Sequence, residues 1–117
     1  MATFNGRCHC GAIAFRVRSE PITSGVRCNC SICVRKGAVM SVRYYPPEDF
    51  DSLAGFEGMA LYRFGDNLVN HNFCRTCGVY PFHDTTLKPG HYRVNLGCLE
   101  GVDPLSLPVE VLDGKSF

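Results

Sequence analysis

The sequence predicts a mostly β chain of antiparallel sheets around a four-cysteine zinc site, with at most one or two short helical turns. Three observations carry that expectation. Apolar residues recur at every second position in several short runs, the period of strands buried on one face. Strand-like and helix-like runs do not alternate, as a parallel sheet with crossover helices would require. Seven of the eight cysteines fall into chelating groups, Cys8-His9-Cys10, Cys28-Asn29-Cys30-Ser31-Ile32-Cys33 and Cys74-Arg75-Thr76-Cys77, which tie distant parts of the chain to metal.

In chain order, Ile13, Phe15 and Val17 share one face, with Ala12, Ala14, Arg16 and Arg18 on the other. This run is expected as a strand ended by Ser19-Glu20-Pro21. An extended piece over residues 23–27 delivers the cysteines at 28–33, and Gly37 marks the turn that leaves them. Residues 38–45 read as the next strand, with Met40, Val42 and Tyr44 inward. Pro46-Pro47-Glu48-Asp49-Phe50 has the prolines and early acidic residues of a helical turn, the one helix expected, and Gly55 is placed to stop it. Residues 59–64 and 68–73 are two strands joined by the hairpin connection Gly65-Asp66-Asn67. The second runs directly into Cys74. Residues 79–83 continue beyond that knuckle, and 84–90 form a loop. Over 91–98 the alternation returns, with Tyr92, Val94, Leu96 and Cys98 on one face. A last strand over 107–112 is expected at an edge, because Pro108 has no N–H to give a ladder.

A chain of 117 residues can bury one core and is too short for two ordinary ones, so residues 1–117 are expected as a single zinc-binding domain. A composition 45% hydrophobic and 20% charged is that of a globular protein. No apolar run approaches the roughly 18–20 residues of a membrane span, so no membrane partner is expected. Met1-Ala2-Thr3-Phe4-Asn5-Gly6 lacks the apolar core of a signal peptide. The expected location is therefore the cytoplasm, where clustered cysteines are metal ligands rather than disulfides. Each zinc-bound cysteine is a thiolate, so seven of them with two Zn²⁺ take the formal charge of +1 to about −2. Arg7, Arg27, Arg35, Lys36 and Arg75 lie beside the sulfurs in sequence and offset that charge. No basic stripe with interleaved aromatics is present, and no nucleic acid partner is expected. The oligomeric state is not legible.

In an extended strand, residues i and i+2 point to one face, so Cys8 and Cys10 are expected to grip one ion from a strand end. Cys74 and Cys77 form a knuckle whose crowding Gly78 relieves. Together these four close a tetrahedral zinc, the arrangement of a structural site. Cys28, Cys30 and Cys33 offer three sulfurs and no obvious fourth. Three protein ligands with one exchangeable position is the pattern of catalytic zinc, so two zincs per chain are expected.

These groups resemble those of the glutathione-dependent formaldehyde-activating enzyme family, which also includes centromere protein V. The likeness lies in C-H-C-G at 8–11, C-N-C-S-I-C with Gly37 at 28–37, F-C-R-T-C-G at 73–78 and V-N-L-G-C-L-E-G-V-D at 94–103. The resemblance implies a Mss-four-like β fold, with the structural zinc on Cys8, Cys10, Cys74 and Cys77 and the catalytic zinc on Cys28, Cys30 and Cys33. It further implies a carbon–sulfur lyase that joins glutathione, or a similar thiol, to formaldehyde or a related small aldehyde, forming S-(hydroxymethyl)glutathione. The alternative is a non-catalytic, zinc-stabilised protein-interaction module in which both metals are structural.

The remaining candidates have plainer readings. His9, inside a strand-borne C-x-C, points away from both sulfurs. His71 shares a face with Val69 and Phe73 and reads as a hydrogen-bonded core histidine. His83, at a strand end, could face the site, and His91 reads as solvated. Cys98 reads as a buried thiol acting as a small hydrophobe, with ligation the other reading. The aromatics, Phe15, Tyr44, Tyr62, Phe64, Phe73, Tyr80 and Phe82, are chiefly core, with one or two walling a pocket. Glu48, Asp49 and Glu57 form no paired-carboxylate arrangement for acid–base work.

Overall fold

A computed structural model describes residues 1–114; positions 115–117, the end of the expected domain, lie outside the described residues. In chain order its elements are β1 (Ala2–Arg7), β2 (Ala14–Ser19), β3 (Gly25–Cys28), α1 (Ser31–Lys36), β4 (Phe50–Ala54), β5 (Ala60–Tyr62), β6 (Val69–Phe73), β7 (Phe82–Thr85), β8 (Tyr92–Val94) and β9 (Val109–Leu112). Strands β1, β2 and β4 form one antiparallel sheet, and β5 to β8 form a second in sequential order. The fold is mostly β, as the alternation requires. β3 and β9 make a separate two-stranded pair that is parallel, a departure from the all-antiparallel expectation. A connection as long as that from β3 to β9 imposes no hairpin polarity, so either direction is open to it.

The two larger sheets meet at an aromatic cluster. Phe15 of β2 and Phe50 of β4 stack with centroids 5.5 Å apart, and both meet Phe82 of β7 edge-on at 5.3 and 5.6 Å. Tyr92 of β8 stacks on Phe50 at 4.2 Å. Such pairs each add about 0.5–1.5 kcal/mol beyond their area burial, which fixes how the sheets sit on one another.

Several local expectations give way to this core. The helical turn after Pro46 lasts only through the 3₁₀ turn Pro47–Asp49, because Phe50 enters the core and starts β4 opposite Val17. Gly55 (φ 82°) then opens a second 3₁₀ turn, Phe56–Gly58, instead of ending a helix. Residues 38–45 are not a continuous strand: only Met40 and Tyr45 make bridges, Ser41 is buried and Val42 is exposed. The Ser41 hydroxyl accepts the Val94 N–H at 3.0 Å and donates to the Arg43 carbonyl at 2.8 Å, which bends the chain out of the alternation. After β8 the chain tightens into a 3₁₀ turn, Leu96–Cys98, whose Gly97 N–H is capped by the Asn95 side chain at 2.9 Å. Val94, Leu96 and Cys98 stay buried through the change. The only α-helix among the described residues, α1, was not expected at all, and it lies inside the central cysteine group.

Candidate metal centres and their cavity

The first cysteine group is built by two turns. β1 ends at Arg7, and the chain reverses through Cys8-His9-Cys10, closed by Cys8 N–H to Ile13 O at 3.1 Å and Gly11 N–H to Cys8 O at 3.3 Å. The C-x-C bite is therefore a turn and not the strand end expected. His9 sits at its tip, outside the sulfur cluster. The second turn follows β6: Gly78 N–H bonds Cys74 O at 2.9 Å with Gly78 at φ 76°, a conformation that suits glycine. Cys8 Sγ and Cys10 Sγ lie 3.6 Å apart, as do Cys10 Sγ and Cys74 Sγ. All four sulfurs fall within 4.8 Å of one another. A tetrahedral zinc with Zn–S of about 2.3 Å needs sulfur spacings of about 3.8 Å, so the donor set fits. Donation from the backbone N–H groups of Cys10 and Val79 holds the Cys77 thiol down at about 6, already disposed to the thiolate a metal requires.

The second group is delivered by β3 and α1. Cys28 ends β3, where Asn29 N–H bonds Leu112 O of β9 at 3.0 Å. Cys30 stands at the N-cap of α1, its carbonyl accepting Val34 N–H at 3.0 Å, and Cys33 follows about one turn on. Gly37 (φ 68°) closes the helix by donating to Cys33 O at 3.1 Å, a left-handed cap. The three sulfurs lie within 4.8 Å of one another, and no fourth cysteine, histidine or carboxylate joins them among the described residues. Cys98 is elsewhere: it is buried beside Cys8 and outside both groups, and burial pushes its thiol up to about 12. That is the small buried hydrophobe the sequence suggests.

The three sulfurs open onto a cavity of about 480 Å³. Tyr44, Phe64, His71, His83 and Arg93 form much of its wall, and Gly114 packs so close to Cys28 that a Cβ there would collide with the sulfur. Lys36, one turn beyond Cys33, buries its ammonium with no hydrogen-bond partner, 3.8 Å over the Tyr80 ring. Burial lowers its proton affinity, and the Cys33, Cys30 and Cys28 charges oppose that lowering. A buried lone cation beside three thiols is what a site for negatively charged thiolates would contain. The donor set and this cation thus fit a metal with one open position.

The family model described as glutathione-dependent formaldehyde-activating enzyme matches residues 3–111. The chain belongs to that family. It is also similar to the crystal structure of a Rhodobacter sphaeroides protein, with 38% identity and a TM-score of 0.77 over 91% of this chain and 98% of that one. Membership in the formaldehyde-activating family points to activation of formaldehyde with glutathione, and the cysteine groups can bind zinc. Among the described residues no helix is long and apolar enough to cross a membrane.

The remaining polar residues of the cavity come from scattered elements. His83 of β7, expected to be able to face the site, does so, buried, with Nε2 3.0 Å from the Tyr44 hydroxyl. His71 of β6 is the hydrogen-bonded core histidine expected, its Nδ1 2.7 Å from the Tyr80 hydroxyl, and it lines the cavity as well. Burial and then the Lys36 charge bring His71 down to about 4. His83 is lowered by burial, Lys36 and Arg93, so both rings are neutral at pH 7. Arg93 of β8 lies 4.5 Å over the Tyr44 ring and donates to Val42 O at 3.0 Å. Tyr44 and Phe64 are among the aromatics of which one or two were expected to wall a pocket, and both do, whereas Arg93 and Gly114 carry no sequence signal for the site, since each reaches it only through tertiary packing. Of the five cations flanking cysteines, Lys36 is the one whose ammonium is buried without a hydrogen-bond partner, whereas Arg35 bonds Ser31 O at 2.7 Å.

Proposed function

We propose that this chain is a zinc-dependent carbon–sulfur lyase that joins glutathione, or a similar thiol, to formaldehyde or a related small aldehyde, as an S-(hydroxymethyl)glutathione synthase. The observation that carries the reading is the contrast between the cysteine groups. Four sulfurs close on one another, while Cys28, Cys30 and Cys33 leave one side open to a cavity. Zinc held by these three would keep an entering thiol as its thiolate, the form that attacks a carbonyl carbon. The chain's own groups do the rest. Lys36 offsets the sulfur charge, Ile32, Phe64, Val69 and Leu112 give the cavity apolar wall that limits water, and the absent side chain of Gly114 lets the chain pack directly against Cys28. Cys8, Cys10, Cys74 and Cys77 hold a second, structural zinc, and residues 1–117 act as one cytoplasmic domain.

The test is exchange NMR with glutathione and ¹³C-formaldehyde, which reads the rate of adduct formation above the spontaneous one. The protein should accelerate exchange, and Cys30→Ser should abolish the acceleration. If the protein carries two metals and adds nothing to the spontaneous rate, the lyase reading fails and the interaction module takes its place.

A further inference from the structure

Tyr44 and His83 meet at the cavity edge, with Tyr44 Oη 3.0 Å from His83 Nε2. Both residues line the cavity of Cys28, Cys30 and Cys33, although they arrive from a bridging segment and from β7. His83 Nδ1 is buried and has no hydrogen-bond partner. An orphaned buried N–H is rarer and costlier than an orphaned lone pair, so we assign the ring proton to Nε2. That N–H then donates to Tyr44 Oη across the observed 3.0 Å. The assignment leaves the Tyr44 hydroxyl proton uncommitted, in the cavity where a thiol and an aldehyde would meet. Arg93 lies over the Tyr44 ring, where its positive charge favours electron density gathering on the phenol oxygen.

We propose that Tyr44 is a catalytic proton donor to the aldehyde oxygen, and that His83 is the positioning residue that aims it. This rests on the lyase reading. The thiol loses its proton to solvent water as it binds. Its sulfur electron pair then forms the carbon–sulfur bond, the carbonyl π pair moves to oxygen, and that oxygen takes the Tyr44 proton to become the hydroxyl of the product. The phenolate left behind, stabilised by His83 Nε2–H and Arg93, recovers a proton from solvent. Thiol and aldehyde are thereby combined with nothing gained or lost. Burial keeps Tyr44 protonated at neutral pH, with Arg93 opposing it, as a donor requires.

The experiment compares wild type, Tyr44→Phe, His83→Gln and His83→Leu in the same NMR exchange assay, beside glutathione titrations of the cobalt-substituted proteins read by thiolate-to-cobalt absorption. Tyr44→Phe should lower kcat by about a hundredfold, while the titration midpoint stays within twofold of wild type. His83→Gln, whose amide N–H replaces Nε2–H, should keep most of the rate that His83→Leu loses. Unchanged turnover in Tyr44→Phe overturns the proposal and leaves the lyase reading standing. So does a Tyr44→Phe protein that loses glutathione binding and turnover together, since the tyrosine would then be packing. An inactive wild type sinks both.

Discussion

Lys36 is the residue on which the charge balance of the three-sulfur site turns. Three thiolates and one Zn²⁺ leave a net negative charge, and a fourth thiolate would add to it; the buried ammonium is the counterweight. At an effective dielectric of about 20, a unit charge about 5–6 Å away is worth about 3 kcal/mol. Even half of that is a tenfold change in binding. Lys36→Met, which keeps the stem over Tyr80 and removes the charge, should therefore weaken metal binding at this site by tenfold or more in competition with a chromophoric chelator. Binding at the four-cysteine site should not move. Equal affinity in the variant would show that solvent, and not Lys36, carries the balance. At this scale the sequence was legible where chemistry is local. Cysteines two or three residues apart read as groups able to share a metal, and the structure gathers them into the same two groups, with the Lys36 ammonium buried near the second. Tyr44, His83 and Arg93 become neighbours only when β7, β8 and the segment before Pro46 pack, and nothing in their own spacing records it.

Among the elements, the two cysteine groups differ in what they connect. Cys8 and Cys10 sit between β1 and β2, whereas Cys74 and Cys77 follow β6, so the four-sulfur site fastens one large sheet to the other. Cys28, Cys30 and Cys33 lie within one strand end and one short helix. Metal binding energy is folding energy when the ligands come from distant segments. Cys77→Ala should thus cost about 4 kcal/mol or more, which in a chain of this size lowers the thermal midpoint by roughly 15 °C. Cys30→Ala should shift it by much less. Scanning calorimetry of both variants decides the matter, and equal shifts would erase the division into structural and working sites. The helix that carries Cys33 and is capped by Cys30 was hidden because α1 has six residues and no fully buried apolar one, so it leaves no apolar period to read. Gly37 was recognised as a turn, but its role as the cap of a helix needed the Cys33 carbonyl in view. β4 was hidden for the opposite reason: the prolines and acids before it speak for a helix, and the burial of Phe50 overrules them after one turn.

For the molecule as a whole, alternating apolar residues and an absence of helical periods were enough to name the architecture, since Phe15 and Tyr92 lie on the apolar faces of alternating runs, although Phe50, which completes their cluster, was read into a helical turn. The parallel pairing of β3 with β9 was not accessible, because polarity between strands so far apart in the chain is set by the path of everything between them. The same architecture would give metals held by the two cysteine groups different access to water. In the four-sulfur site Cys10 is exposed and Cys77 half-buried, but Cys8 and Cys74 are 1% and 2% exposed, so a chelator can touch one edge of a metal held there and can take it from all four sulfurs only when the joint between sheets opens. In the other site all three cysteines are partly exposed, and the cavity gives a path to the fourth face. A strong chelator should therefore strip zinc in two phases of about one equivalent each. The fast phase should leave the near-ultraviolet circular dichroism of the aromatic core unchanged, and the slow phase should track its loss, at a rate set by opening of the fold. Saturating glutathione, as a ligand for the open position, should slow only the fast phase. A single phase, or loss of the core signal with the first metal released, would mean that the two sites are one cooperative structure and that the open position is not independently exchangeable.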